Sequence, residues 1–161
     1  MQQESTEIAQ ETIDEAAALA VSLLKDVEGF RSKPYHCTAG VLTIGYGRTQ
    51  GVTPSSFTDE DTESDFLEKK TYSILYWLIS LHKGVPLKST QLAALVSFVY
   101  NVGQEAYRTS TLMKLINQGN FKGASNEFGK WIYVSKGKKK IIDQGLKGRR
   151  RPKERSLFLK E

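Results

Sequence analysis

At 161 residues, with 39% hydrophobic and 25% charged positions, the chain is long enough for one domain with a real core, and its composition excludes wholesale disorder. The net charge of +5 suits a polyanionic partner such as nucleic acid, an anionic membrane surface or an acidic wall polymer, without choosing among them. A single cysteine, Cys37, excludes an intrachain disulfide, and no window approaches ~18 consecutive apolar residues, so no membrane span is predicted.

Residues 2–27 read as a helix, with Ile8, Ile13, Ala16, Ala17, Ala20, Leu23, Leu24 and Val27 on one stripe and acids on the other face. Gly29 is positioned to end it. Glu28 then falls at the negative end of the helix dipole, where a carboxylate is disfavoured. Residues 34–52, rich in Gly, Thr, Tyr, Val and Ile, predict a β-hairpin or a short three-stranded ribbon. Thr58, followed by Asp59, Glu60 and Asp61, reads as a helix start. The stripe Phe66, Leu67, Ile74, Leu75, Leu78 and Ile79 carries that helix to about His82, where Gly84-Val-Pro86 stops it. Residues 90–102 are apolar nearly all round and predict the buried central helix of a larger helical lobe. Further helices are expected at about 109–118, 121–134 and 149–160, the last two separated by a lysine-rich linker at 135–140.

Charge is divided along the chain. Seven acids precede Phe30 against Lys25 alone, whereas from Lys136 onward eleven Lys and Arg residues face Asp143, Glu154 and Glu161. The start of the chain has no basic segment followed by an apolar core, so synthesis and folding in a cytoplasm are expected. His36 and His82 with one cysteine make no convincing ligand set, so neither metal nor cofactor is predicted.

Taken singly, Glu28 is an ordinary solvated helix-end charge, Cys37 a small core-packing residue and Thr43 a strand former. Set around Gly40-Val-Leu-Thr-Ile-Gly-Tyr-Gly47, they place a carboxylic acid in the crease between a helix and a ribbon that carries two groups able to hold or activate water. A small glycoside hydrolase can be organised in this way.

The spacing Glu28, eight residues, Cys37, five residues, Thr43, then Ile44-Gly-Tyr-Gly47, resembles the phage-type lysozymes, the muramidase endolysins of bacteriophages. The likeness continues in residues 91–103, in Ser110-Thr-Leu112, Gly119-Asn-Phe-Lys-Gly-Ala124 and Phe128-Gly-Lys-Trp131, and in Gly145-Leu-Lys-Gly-Arg-Arg150 with Glu154-Arg155. It runs from about residue 20 to residue 161; residues 1–19 lie outside it as an acidic helical extension.

The resemblance implies an α+β lysozyme-like fold, a single catalytic domain over 1–161. A small β lobe near 35–52 would be joined by a long helix to a helical lobe from about 84. It implies cleavage of the β-1,4 bond between N-acetylmuramic acid and N-acetylglucosamine in peptidoglycan glycan strands. Glu28 matches the family's general acid and Thr43 its catalytic threonine, while Cys37 stands where many members have aspartate and some cysteine. Gly47, Tyr100 and Asn101 match positions near the sugar cleft, and Arg149 or Arg150 matches an arginine close to the acid. Arg48 stands where many relatives carry histidine, so the family's local ion pair is not assumed for this chain.

A thiol ionises near pH ~8.5, and Cys37 could serve as thiolate base on a water held with Thr43, giving inversion, or attack the sugar directly, giving retention. Inversion is the preferred expectation. A monomer is expected, held in the host cytoplasm until a holin-type permeabilising protein admits it to the periplasmic wall. The competing functions are a peptidoglycan-binding module without catalysis and, more remotely, a nucleic-acid binder built on residues 136–155, which has no recognisable binding module.

Overall fold

The computed structural model describes residues 7–161. The first helix, α1, spans Gln10–Glu28 and buries Ile13, Ala16, Ala17, Ala20 and Leu24. It is shorter than the predicted 2–27 helix: residues 7–9 are not helical, and residues 1–6 lie outside those described. Glu28 is its final residue, and Gly29 turns the chain out with φ +67° while donating its N–H to Lys25 O at 3.1 Å. A side chain in that left-handed conformation would be strained.

A two-stranded antiparallel ribbon follows, β1 (Arg31–His36) and β2 (Leu42–Gly45), rather than one reaching Val52. Tyr35 pairs with Thr43 and His36 with Leu42, with an irregularity between Arg31 and Tyr35. Helix α2 spans Glu60–Leu81, and its N-cap is Asp59, not Thr58: Thr62 N–H donates to Asp59 Oδ1 at 2.8 Å. The Thr58 hydroxyl is used elsewhere, donating to Glu63 at 2.8 Å.

Helix α3 (Ser89–Val102) is the core of the helical region, with Leu92 through Val99 buried, and it packs against α1, α2 and the last helix, α7 (Arg151–Leu159). Alanines at 16, 17 and 20 on α1 and at 93 and 94 on α3 are all buried. Phe98 lies edge-on to Tyr107, Phe128 and Trp131 at ring separations of 5.4–6.2 Å, a favoured aromatic geometry.

Three short helices complete this region: α4 (Gln104–Arg108), α5 (Thr111–Asn117) and α6 (Phe121–Glu127). The predicted helix at 109–118 is thus α5 alone, preceded by a separate turn of helix. The predicted helix at 121–134 is corrected more strongly. After a 3₁₀ turn at Phe128–Lys130 the chain forms β3 (Tyr133–Lys136), which pairs antiparallel with β4 (Lys139–Ile142) around Gly137 at φ +65°. The lysine run is therefore the end of a hairpin, not a linker. Its Tyr-Val and Ile-Ile pairs are β-formers brought opposite each other, a signal masked in sequence by the lysines. The final predicted helix begins earlier, as a π-helical turn at Leu146–Arg150 leading into α7. The whole is an α+β, lysozyme-like arrangement.

Candidate active site

A cleft of about 1010 Å³ opens between the β1–β2 ribbon with the start of α2 on one side, and α3 with the β3–β4 hairpin on the other. Glu28, Cys37, Thr43, Gly47, Tyr100 and Asn101, all named from sequence, line it. Glu28 reaches it because α1 ends there. Cys37 reaches it because β1 ends at His36, and the following turn is closed by Gly40 N–H to Cys37 O at 2.8 Å and by Cys37 N–H to Val41 O at 3.0 Å. Thr43 is 3% exposed and donates its hydroxyl to Val41 O at 2.8 Å. Its oxygen lone pairs remain free to accept from a water.

The Ile44-Gly-Tyr-Gly-Arg48 segment is a tight loop closed by two backbone hydrogen bonds between Ile44 and Arg48, each 2.9 Å. Its two glycines have separate duties. A Cβ on Gly47 (φ +82°) would lie 2.5 Å from Glu28 Oε2, and one on Gly45 (φ +62°) would lie 2.5 Å from the Glu63 carboxyl. Each glycine therefore makes room for a carboxyl. Tyr100 fixes the loop by donating its hydroxyl to Tyr46 O at 2.7 Å. Burial, and then the nearby Glu28 charge, raise the Tyr100 phenol far above its ordinary range, and the same two causes raise Tyr35. Tyr100 is thus a neutral donor at any working pH.

Of the two arginines proposed beside the acid, Arg150 is the one in place. Its Nη1 donates to Glu28 Oε1, its Nη2 to Ser97 O at 2.8 Å, and its Nε faces Glu154 Oε2 at 3.4 Å. Arg149 does not approach Glu28. It points to the surface and bonds Asp26, through the side chain at 2.9 Å and the backbone carbonyl at 2.8 Å. Adjacent positions in the π turn face different ways, and a π turn inside a helix is a recurrent feature of functional sites.

The sequence reading missed the layer behind this contact. Glu154, fully buried, also accepts from Ser97 Oγ and from Arg151 Nη1, both at 2.7 Å. Arg151 donates to Trp131 O at 2.7 Å and to Asn101 Oδ1, and stacks over the Phe98 ring at 4.9 Å. Burial lowers the basicity of Arg151, and Glu154 offsets part of that. Two arginines and two glutamates thus balance charge in a partly water-excluded network. The spacing Arg150, Arg151, Glu154 is the i, i+3 and i, i+4 pattern of helical ion pairs, which was the available signal.

Glu63 is the second missed residue. Arg48 grips it through Nε at 3.0 Å and Nη2 at 2.7 Å, so a local ion pair does exist here, with arginine supplying the cation. Among the described residues, no three His, Cys, Asp or Glu side chains are grouped as a metal ion would require.

Residues 25–154 match the phage lysozyme family. The chain belongs to that family. It is 37% identical over 136 residues to an endolysin of Acyrthosiphon pisum secondary endosymbiont phage 1, a match covering 84% of this chain and 92% of that one. It is 40% identical over 108 residues to a SAR-endolysin of Bacteriophage PS119, where the match covers 67% of this chain but 65% of the relative. Among solved structures, the muramidase domain of SpmX from Asticaccaulis excentricus superposes with a TM-score of 0.77 at 26% identity, over 96% of this chain and 99% of that domain. The lysozyme fold and the enzyme class follow from this kinship. Among the described residues, no helix is long and apolar enough to cross a membrane.

Proposed function

We propose that this phage lysozyme is a muramidase that cleaves the β-1,4 bond between N-acetylmuramic acid and N-acetylglucosamine in peptidoglycan, with Glu28 as general acid and Cys37 and Thr43 handling the water. The observation that carries the reading is the setting of Glu28: it is held by Arg150, backed by Gly47, and shares one cleft with Cys37 and Thr43. A glycosidic bond breaks when the leaving oxygen receives a proton while electron density arrives at the anomeric carbon. Glu28 gives its proton to that oxygen. A water accepted by Thr43 Oγ1 attacks the carbon, and the Cys37 thiolate takes the water's proton, leaving an inverted hemiacetal. Tyr100 and Asn101 border the sugar path, and Arg150 fixes the rotamer of the acid.

Kinship to proteins named endolysins favours turnover over a peptidoglycan-binding module without catalysis. On the same reading the chain is a monomer forming one catalytic domain. It waits in the host cytoplasm and depends on a holin-type partner to reach the periplasmic wall.

The test is turbidity loss of outer-membrane-permeabilised Gram-negative cells. Wild type clears the suspension, and Glu28→Gln falls by roughly 10²–10⁴-fold, the contribution of a positioned proton donor. Cys37→Ser falls on the order of 10²-fold if the thiolate is the base, and proton NMR of the first product anomer reads inversion directly. Equal, negligible clearing by all three, on cells that a control muramidase lyses, overturns the enzyme reading.

A further inference from the structure

We infer that the lysine-rich β3–β4 hairpin is a docking element for the acidic stem peptides that hang from the glycan strand; this rests on the hydrolase reading above. The segment Lys136-Gly-Lys-Lys-Lys140 puts four ammonium groups at one end of a ribbon that contains no acid before Asp143. The register sets Lys136 directly across from Lys139, and Ser135 across from Lys140. Like charges placed opposite each other destabilise a ribbon, and a two-stranded ribbon is marginal by itself. Among the described residues, none of these four lysines forms an ion pair with an acid. The hairpin thus keeps a charge concentration that its own fold does not neutralise.

Its position says what can. The base of the hairpin is tied down by Asp143 N–H to Ile132 O at 2.8 Å, and Tyr133 and Val134 form part of the cleft wall. Lys136 lies two residues beyond Val134, ~7 Å along the strand. Lys70 of α2, which pairs with no acid among the described residues, also lines the cleft, beside Lys69, which is paired with Asp65 at 3.0 Å. In an intact strand N-acetylglucosamine is uncharged and the lactyl carboxyl of each N-acetylmuramic residue is taken up in its amide to the peptide, so these cations have no counterpart on the glycan backbone. Every N-acetylmuramic residue, however, carries a peptide with free carboxylates, which must leave the cleft past its rim. A ligand already held by the cleft wall accounts for a basic hairpin at that rim, whereas a flat anionic membrane gives no reason for the placement.

Binding is measured by co-sedimentation with purified sacculi, using Glu28→Gln to prevent turnover. The comparison protein adds Lys136→Gln, Lys138→Gln, Lys139→Gln and Lys140→Gln. Both are tested on intact sacculi and on sacculi whose peptides have been removed by an amidase and whose freed lactyl carboxyls have then been capped as neutral methylamides. On intact sacculi the hairpin variant binds about tenfold more weakly, the effect of a few exposed charge pairs together. On stripped glycan the two bind alike. The milder pair Lys138→Gln with Lys139→Gln, checked for an unchanged thermal melt, moves the same way by a smaller factor.

Equal binding to intact sacculi overturns the inference. So does a difference that persists on stripped glycan, or one seen only on phosphatidylglycerol vesicles. The hydrolase reading fails separately, if wild type releases no reducing sugar from the same sacculi.

Discussion

Gly47 shows most sharply how one position ties fold to chemistry. Its φ of +82° is left-handed, and a Cβ there would meet the Glu28 carboxyl at 2.5 Å. Gly47→Ala carries backbone strain of roughly 1–2 kcal/mol and displaces the acid. Misplacing a catalytic group by about 1 Å costs on the order of 10² in rate. Activity is therefore expected to fall on that order while the melting temperature drops by only a few degrees; an alanine variant of near-normal rate would sink the assignment. Glu154→Gln tests the layer behind. Removing one buried charge leaves Arg150 with Glu28 and Arg151 with no bonded carboxylate, and breaking such a pair costs about 3–5 kcal/mol, visible in denaturant unfolding; a cost under about 1 kcal/mol would mean the network is not coupled. The front residues of the site were legible because Glu28, Cys37 and Thr43 keep fixed spacing within one local stretch. Glu154 was open to reading only as the i, i+3 and i, i+4 partner of Arg151 and Arg150, and its link to Ser97 was not legible, because only the packing of α7 on α3 brings those distant segments together.

At the scale of elements, legibility followed hydrophobic periodicity. Helices α2 and α3 were read closely because each has a long apolar stripe and a clear stop, Gly84-Val-Pro86 for one and Gly103 for the other. The β3–β4 hairpin was missed because its apolar content is four residues, Tyr133, Val134, Ile141 and Ile142, interrupted by charge. Short elements carry too little period to outvote composition. The stretch before residue 20, outside the family-like region, turns out to be structural where it is described: Ile13, Ala16 and Ala17 are buried in the common core. Ile13, 5% exposed, therefore tests whether α1 is an accessory or a part of the fold. Ile13→Ala should cost about 2–4 kcal/mol, a fall of roughly 4–16 °C in Tm for a chain of this size. A variant that melts with wild type would return the first turns of α1 to the status of an ornament.

For the molecule as a whole, charge lies mainly on the surface, and two buried groups, His82 and Glu63, respond to pH in separate windows. Surface links such as Arg149 to Asp26, which join the acidic first helix to the basic last segment, are exposed and contribute little. His82, 2% exposed, closes α2 onto the following helices, with Nδ1 2.7 Å from Asn117 Oδ1 and Nε2 2.6 Å from the Tyr107 hydroxyl. A neutral ring with its proton on Nδ1 satisfies both contacts, since the tyrosine donates to Nε2. Burial lowers the folded pKa below the ordinary 6.5, the Asn117 bond offsetting part of that. The unfolded chain therefore takes up a proton that the folded chain refuses. Stability from His82 is complete above about pH 6.5 and is lost as pH falls toward the folded value, at a slope of at most ~1.4 kcal/mol per pH unit. Glu63 acts in a lower window. Burial pushes its carboxyl up, but the bonds from Arg48 and Thr58 outweigh this and hold it below 4.5, so its contribution is lost only as pH falls through that lowered value. Between pH 7.5 and 5 the acid weakening is thus chiefly that of His82. Thermal melts of wild type should fall across this range, and those of His82→Gln, though lower throughout, should be flatter; parallel curves for the two proteins would show that the buried imidazole is not the group being titrated.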